Sequence, residues 1–408
     1  LTRLYPVSRT AEADERQRCV LVGVDFGEPH FAEHFDELAA LAQSAGLDVA
    51  ARLCARRQTP QAAYLIGTGK LEELRALCDE VRPAVVIFAQ PLGPIQQRNV
   101  ARALDCAVID RTGLILDIFA QRAQSHEGKL QVELARLQYQ STRLVRQWSH
   151  LERQRGGIGV RGGPGERQIE LDRRMLAERV KQIKERLAKV QRQRDTQRRA
   201  RLRAGVLRVS IVGYTNAGKS TLFNRLTRSQ GYAADQLFAT LDTTTRRLKP
   251  SRGGELAISD TVGFVRELPH ALVAAFKSTL QEAAHADLLL HVVDVADPQM
   301  RQQIAAVDAV LAEIGASDIE IWLVFNKIDR TGLPAGASAE PSPQTAWDAP
   351  GPRSFRVSAW TGEGVDALRA ALEERAMRVS AARGMSKFGL DGFEPRPGTA
   401  PDEPSLPT

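Results

Sequence analysis

Apolar and polar positions fall into three differently organised blocks along the chain. Over residues 17–112, short apolar runs alternate with amphipathic stretches. Cys19–Asp25, Ala84–Ala89 and Ala107–Asp110 have the continuous apolar character of buried strands. Phe31–Ala45, Lys70–Val81 and Gly93–Leu104 have the spacing of amphipathic helices. This alternation predicts a small parallel α/β domain.

The pattern over 113–204 is helical only. Leu130, Leu134, Leu137, Ser141, Leu144, Trp148 and Leu151 step by four and three, and Leu176, Val180, Ile183, Leu187 and Val190 do the same. Between them lies Gly156-Gly-Ile-Gly-Val-Arg-Gly-Gly-Pro-Gly165, which no helix tolerates. Two long helices, packed antiparallel and joined by a glycine-rich tip, are the simplest reading. Alternation returns over 205–380. Strands are expected at Val206–Val212, Leu256–Ser259, Leu288–Val293, Ile319–Phe325 and Phe355–Val357, with helices at Pro298–Ile314 and Val365–Met377. Pro334–Pro352, rich in Ala, Pro, Ser and Gly, reads as disordered, and 381–408 as a flexible tail.

With 408 residues, 43% hydrophobic and 26% charged, the chain has ample material for two to three packed domains. The net charge of +7 and isoelectric point near 9.4 favour an anionic partner. The cations crowd the second hairpin helix, among them Arg173, Arg174, Arg179, Lys181, Lys184, Arg186 and Lys189. Cys19, Cys54, Cys78 and Cys106 are widely spaced, which argues against structural zinc or a disulfide framework and fits a reducing cytosol. No apolar run approaches a membrane span, and Leu1-Thr-Arg-Leu-Tyr-Pro6 lacks a signal-peptide core. The sequence does not indicate membrane association, although it leaves that open.

The third block carries the chemistry. Gly213-Tyr214-Thr215-Asn216-Ala217-Gly218-Lys219-Ser220 follows an expected strand and opens an expected helix. That is the setting of a phosphate-binding loop, whose N–H groups point at the phosphates. Lys219 can reach the β- and γ-phosphates, and the Ser220 hydroxyl can ligate Mg²⁺. The block is thus expected to be a P-loop G domain. In Asp260-Thr261-Val262-Gly263, Asp260 can hold the metal through water, while Gly263 lets a backbone N–H approach the γ-phosphate. Asn326-Lys327-Ile328-Asp329 follows another apolar strand. Asp329 can accept from the guanine N1–H and exocyclic amine, a donor pair that adenine lacks. Asn326 can bond the purine and brace the phosphate loop, and the stem of Lys327 can cover the base. Ser358-Ala359-Trp360 would present backbone N–H to the guanine carbonyl. Between loop and metal site lies Phe238-Ala239-Thr240-Leu241-Asp242, followed by Thr243-Thr-Thr-Arg246; a Thr here can close over Mg²⁺, and spacing does not choose among them.

Phe264 stands where Ras-type GTPases place a water-orienting Gln. Phe cannot hydrogen-bond water, so basal hydrolysis is expected to be slow and raised by a macromolecular partner. Two other glycine patterns mislead. Gly157-x-Gly159-x-x-Gly162 follows a helix instead of a strand, and Gly67-Thr-Gly69-Lys70 fits a helix N-terminal turn. The tip, with Arg153, Arg155, Arg161 and Arg167, fits insertion into folded RNA and fits a connector beside a solvated charged face equally well.

The G motifs with Phe264, the Phe238–Asp242 segment, and Gly156-Gly-Ile-Gly…Pro164-Gly165-Glu166 followed by Asp172-Arg173-Arg174 resemble HflX-type GTPases of the Obg–HflX superfamily. Tyr64–Lys70 and Gln96–Asn99 fit too, and the resemblance covers roughly residues 17–380. It implies a cytoplasmic, monomeric GTPase that binds the large (50S) ribosomal subunit, splits stalled or idle ribosomes under stress, and is stimulated by the ribosome. It turns the hairpin into an element for ribosomal RNA, not DNA, and selects Thr240 as the Mg²⁺-contacting switch residue. Lys219, Thr240 and Gly263 become the catalytic set, with Ser220 and Thr240 on the metal. ATP binding and RNA unwinding have been suggested for such proteins, yet residues 1–205 hold no legible second nucleotide site. Thr243 replaces the family's usual Pro, and 330–353 is Pro/Ala/Ser-rich where a helix is expected. A GTP-gated RNA-binding module with incidental hydrolysis is the rival reading; a GTPase serving RNA modification lacks visible modification chemistry.

Overall fold

The computed structural model describes residues 17–147, 164–203, 206–228, 237–238, 240–250, 254–266, 282–338 and 354–387. The first sheet is built from β1 (Gln17–Asp25), β2 (Leu47–Arg56), β3 (Val85–Phe88) and β4 (Val108–Asp110). Its order is β2-β1-β3-β4, with every pairing parallel. Strands covered on both faces must be apolar on both, and the whole run Cys19–Val22 is buried. Helices α1 (Phe31–Ser44), α2 (Thr68–Val81) and α3 (Pro94–Leu104) cover it. Gly67 is the N-cap of α2, so Gly67–Lys70 is a helix start.

The next helix, α4 (Arg111–Arg122), does not join the hairpin. Asp110 caps it, accepting from Gly113 N at 2.9 Å. Its Leu114, Ile115, Ile118 and Phe119 are buried in one core with Leu38 and Leu41 of α1. The hairpin proper is α5 (His126–Gln147) and α6 (Pro164–Arg203). Leu130, Leu134 and Ile183 form its buried seam, flanked by Leu137, Val180 and Leu187. Arg179 of α6 pairs with Glu133 of α5 at 2.7 Å. Buried Arg136 bonds Asp117 of α4 at 3.2 Å, and Arg143 reaches Asp110 at 2.6 Å. These contacts fix α5 on the first domain. Residues 148–163, including Trp148, Leu151, Arg153, Arg155 and Arg161, lie outside the described residues.

The second sheet contains β5 (Leu207–Gly213), β6 (Thr244–Leu248), β7 (Leu256–Asp260), β8 (Leu288–Asp294), β9 (Ile321–Asn326), β10 (Gly336–Ser338) and β11 (Ser354–Arg356), in the order β10-β11-β9-β8-β5-β7-β6. Only the edge pairings, β6 with β7 and β10 with β11, are antiparallel. Around it stand α7 (Lys219–Thr227), α8 (Met300–Glu313) and α9 (Val365–Lys387). Two expectations change. Gly336–Ser338 is a strand inside the stretch read as disordered, held by backbone pairing that needs no apolar side chain. The last helix continues through Lys387, into the stretch read as a tail; 339–353 and 388–408 lie outside the described residues. Among the described residues no helix is long and apolar enough to cross a membrane.

The two domains share a core. Phe238, Leu241, Val262 and Val265 from the second are buried in the cluster built by α1 and α4 of the first.

Candidate nucleotide site

The carboxyl ends of parallel strands, where loops lead into helices, are where open α/β sheets bind ligands. β5 ends at Gly213, whose φ of 145° and closeness to Val292 O, 2.2 Å from a notional Cβ, admit only glycine. The loop turns through Asn216 (φ 62°) and Gly218 (φ 93°) into α7. Lys219, 6% exposed, donates to Tyr214 O at 2.6 Å. A side chain at Gly263 would meet Thr215 Cγ2 at 2.7 Å and Lys219 Nζ at 3.0 Å, so this glycine keeps the space beside the lysine open.

Ser220, Thr240 and Asp260 converge from three segments. Ser220 Oγ lies 2.6 Å from Thr240 Oγ1 and donates to Asp260 Oδ2 at 2.7 Å; Thr240 Oγ1 is 3.0 Å from the same oxygen. Asp260 Oδ1 is buried without a hydrogen-bond partner among the described residues. Two hydroxyls and a carboxylate with an unsatisfied oxygen make the hard donor set suited to Mg²⁺. Burial raises the Asp260 carboxyl above its usual range, opposed by Ser220, Lys219 and Thr240.

At the other end, Asn326 bridges two loops: Nδ2 donates to Ala217 O and Oδ1 accepts from Ala359 N, both at 2.8 Å. Asp329 Oδ1 accepts from Ser358 Oγ at 2.5 Å, which orients the carboxylate. Lys327, held at φ 67°, pairs with Asp294 at 2.7 Å. Trp360 is 80% exposed, and Arg225 bonds the carbonyls of Ala359 and Trp360.

The remaining motif members have other uses. Thr261 Oγ1 donates to Ile211 O at 2.7 Å, tying β7 to β5, and Ile328 is buried. Phe238, Leu241 and Val262, expected at the nucleotide, point into the shared core, and the Asp242 carboxylate sits on the start of α5. These side chains depart from the expectation that every residue of the motifs lines the ligand: the chain turns at Phe238 (φ 57°), so that Phe238, Leu241 and Asp242 face the first domain while Thr240 faces Ser220 and Asp260. Ala239 lies outside the described residues. Phe264 is buried at 1% against Val212 and Leu289, and its backbone N–H donates to Gly213 O at 3.1 Å.

Sequence reasoning missed several supports. Tyr214 Oη donates to Glu37 of α1 at 2.9 Å and accepts from Arg266 N, while Arg111 bridges Glu37 and Arg266 O, each at 2.8 Å. The signal at Glu37 was slight, since Glu33 and His34 share its face of α1. Arg225, Asp294 and Ser125 carried none beyond ordinary surface or cap chemistry.

Burial pushes the Lys219 ammonium down to about 8, with Asp260 opposing and Lys327 assisting the fall. Triphosphate oxygens beside it restore the charged form. Above about pH 8, GTP binding therefore takes up a proton, and this component of affinity weakens by up to about tenfold per pH unit; below 8 it is flat. Calorimetry in two buffers of different ionisation enthalpy at about pH 9 checks it. Heats that match in both buffers would refute the assignment.

Residues 32–120 match the family described as GTP-binding GTPase N-terminal, 122–201 the GTP-binding GTPase Middle Region, and 208–327 the 50S ribosome-binding GTPase family. GTPase HflX of Escherichia coli (strain K12) is 50% identical over 365 residues, 89% of this chain and 83% of its own. GTPase HflX of Magnetococcus marinus is 48% identical, over 86% and 82%. The crystal structure of SsGBP with GDP shares the fold at a TM-score of 0.50 and 23% identity, covering 89% of this chain and 99% of that one. The phosphate loop and these relatives agree: the chain binds and hydrolyses GTP, and it belongs to the HflX family of GTPases.

Proposed function

We propose that the protein is a Mg²⁺-dependent GTPase of the cytoplasm that acts as a monomer on the large (50S) ribosomal subunit, separating stalled or idle ribosomes under stress. The observation that carries this reading is the cationic surface of α6. Arg173, Arg174, Lys181, Lys184, Arg186 and Lys189 are all exposed on a helix braced against α5. Such a surface suits the phosphates of ribosomal RNA. The name of the matched family, 50S ribosome-binding GTPase, supports the same partner.

Ser220 and Thr240 would hold the magnesium ion, with Asp260 behind them. When bound, Mg²⁺ neutralises charge on the β- and γ-phosphates. Lys219 meets the same charge, and Gly263 leaves room for it. Phe264 faces the interior, so no side chain at that position orients the attacking water. Turnover is accordingly slow in the isolated protein, and the ribosome completes the site.

GTP turnover with and without large subunits tests the reading. Subunits are expected to raise kcat by about 10³-fold or more, within the range that a group supplied in trans provides. Replacing Arg155 and Arg161 with Ala is expected to weaken subunit binding and its salt dependence while free GTP affinity stays unchanged. Fast turnover without subunits, or lost nucleotide affinity in the arginine variant, would overturn it.

A further inference from the structure

The segment carrying Thr240 is gripped from the side away from the nucleotide. Phe238 and Leu241 are 2% and 3% exposed in the core of the first domain, and Phe238 meets Phe119 edge-on at 4.7 Å. Leu237 N donates to Ser44 Oγ at 3.0 Å. Asp242 then reaches the start of α5. Its Oδ2 accepts from Gln124 N at 2.8 Å and Ser125 N at 2.7 Å, and its Oδ1 accepts from Ser125 Oγ at 2.5 Å. Ser125 in turn caps α5, accepting from Gly128 N at 2.9 Å. A carboxylate placed there satisfies amides that the helix leaves open and meets the positive end of its dipole. The fit is close: a Cβ on Gly128 would lie 2.2 Å from Asp242 Oδ1. On the opposite side of the same short segment, Thr240 Oγ1 stands at Ser220 and Asp260.

We propose that Asp242 is a positioning residue through which the start of α5, the first helix of the basic hairpin, holds Thr240 at the metal corner, so that seating of the hairpin sets GTP turnover. This rests on the role given to Thr240 above. A segment fixed at Phe238, Leu241 and Asp242 has little freedom at Thr240, so moving its anchor moves the hydroxyl. The coupling runs both ways: a triphosphate that draws in Thr240 also tightens Asp242 on Gln124 and Ser125. The hairpin is thereby connected to the nucleotide without touching it.

The test uses the full chain with Gly128→Ala, Asp242→Ala and Thr240→Ala. Gly128→Ala is informative because it alters only the hairpin helix, favours that helix, and crowds the carboxylate off its seat. Both Gly128→Ala and Asp242→Ala are expected to lower kcat about tenfold, with GDP affinity unchanged, because GDP has no γ-phosphate for Thr240 to meet. Hydrogen exchange at Gln124 and Ser125 is the second readout. In the native chain a non-hydrolysable GTP analogue with Mg²⁺ slows it; in both anchor variants and in Thr240→Ala it does not. If Thr240→Ala loses turnover while the anchor variants keep theirs, the coupling is wrong and the site reading stands. If the anchor variants turn over faster, the contact restrains the segment and the proposal fails. Equal losses of GDP and analogue affinity mark a merely structural contact, which also overturns it. If Thr240→Ala keeps full turnover and metal dependence, the reading of the site fails and this proposal with it.

Discussion

Asp329→Asn is expected to convert the protein from guanine to xanthine selectivity while leaving the fold in place. Asp329 is exposed at the end of β9, and its carboxylate is aimed by the Ser358 hydroxyl, which also accepts from Thr361 N at 3.1 Å. An Asn there still accepts from Ser358, so the loop keeps its shape. What changes is the face toward the base: an amide replaces one acceptor, repelling the guanine amine and matching the xanthine carbonyl. A hydrogen bond to a charged group is worth about 1.5–3 kcal/mol, so losing the pair weakens GTP on the order of 10²–10⁴-fold. XTP gains by a comparable factor. Competition of GTP and XTP against a fluorescent nucleotide measures both, and unaltered preference would remove Asp329 from the base site. Ser358→Ala separates aim from charge, because it leaves the carboxylate but frees its rotation; a loss of about tenfold is expected, smaller than for Asp329→Asn.

Much of this site is legible in the sequence because its chemistry depends on backbone turns that only certain residues make. Gly213 and Gly218 are required by positive φ and close approach, and Asn326 by the span between Ala217 and Ala359. The interior strands were equally readable, since burial on both faces leaves an uninterrupted apolar run such as Cys19–Val24. β6 was not: Thr244–Leu248 is largely exposed and gains its place from edge pairing with β7. β2 was missed for a related reason, its apolar Leu47, Leu53 and Ala55 being separated by Asp48 and Arg52. α4 looked like part of the hairpin because periodicity reports that a helix is amphipathic, without saying which neighbour covers it.

The same limit hid the interface between domains. Phe238 and Leu241 belong to a segment whose Thr240 was expected at the metal, and a linear motif assigns all its members to one ligand. In three dimensions the segment has two faces. One carries Thr240 to Ser220 and Asp260; the other delivers Phe238, Leu241 and Asp242 to α4 and α5. Tyr214 does likewise within the phosphate loop, its backbone serving Lys219 and its hydroxyl bonding Glu37. Contacts of this kind link residues far apart in sequence, and no local spacing encodes them. They place the first domain directly behind the phosphate loop and the Phe238–Asp242 segment.

Lys219→Ala is expected to abolish measurable turnover, and the structure says why the loss exceeds that of one hydrogen bond. Lys219 is the buried cation beside Asp260, and its Nζ already lies against the Tyr214 carbonyl that shapes the loop. Its removal takes away the donor that meets charge developing on the β- and γ-phosphates, a contribution of the order of 10²–10³ in kcat for one preorganised donor. It also leaves the Asp260 carboxylate buried with less compensation, so its carboxyl rises further and holds a proton more readily. A protonated Asp260 supports Ser220 and the metal poorly, so the variant should need more Mg²⁺ as well as turn over more slowly. Lys219→Arg keeps the charge but places a larger planar group where Gly263 leaves only a lysine-sized space, 3.0 Å from its notional Cβ, and is expected to recover little. The two effects separate experimentally. Turnover of Lys219→Ala measured against Mg²⁺ concentration should show a raised half-saturation and a depressed plateau. Raising the pH should lower the first by deprotonating Asp260 and leave the second where it is, since no titration restores the missing ammonium. A plateau that returns to the native rate at high Mg²⁺ would confine Lys219 to metal and nucleotide binding and exclude it from the hydrolytic step.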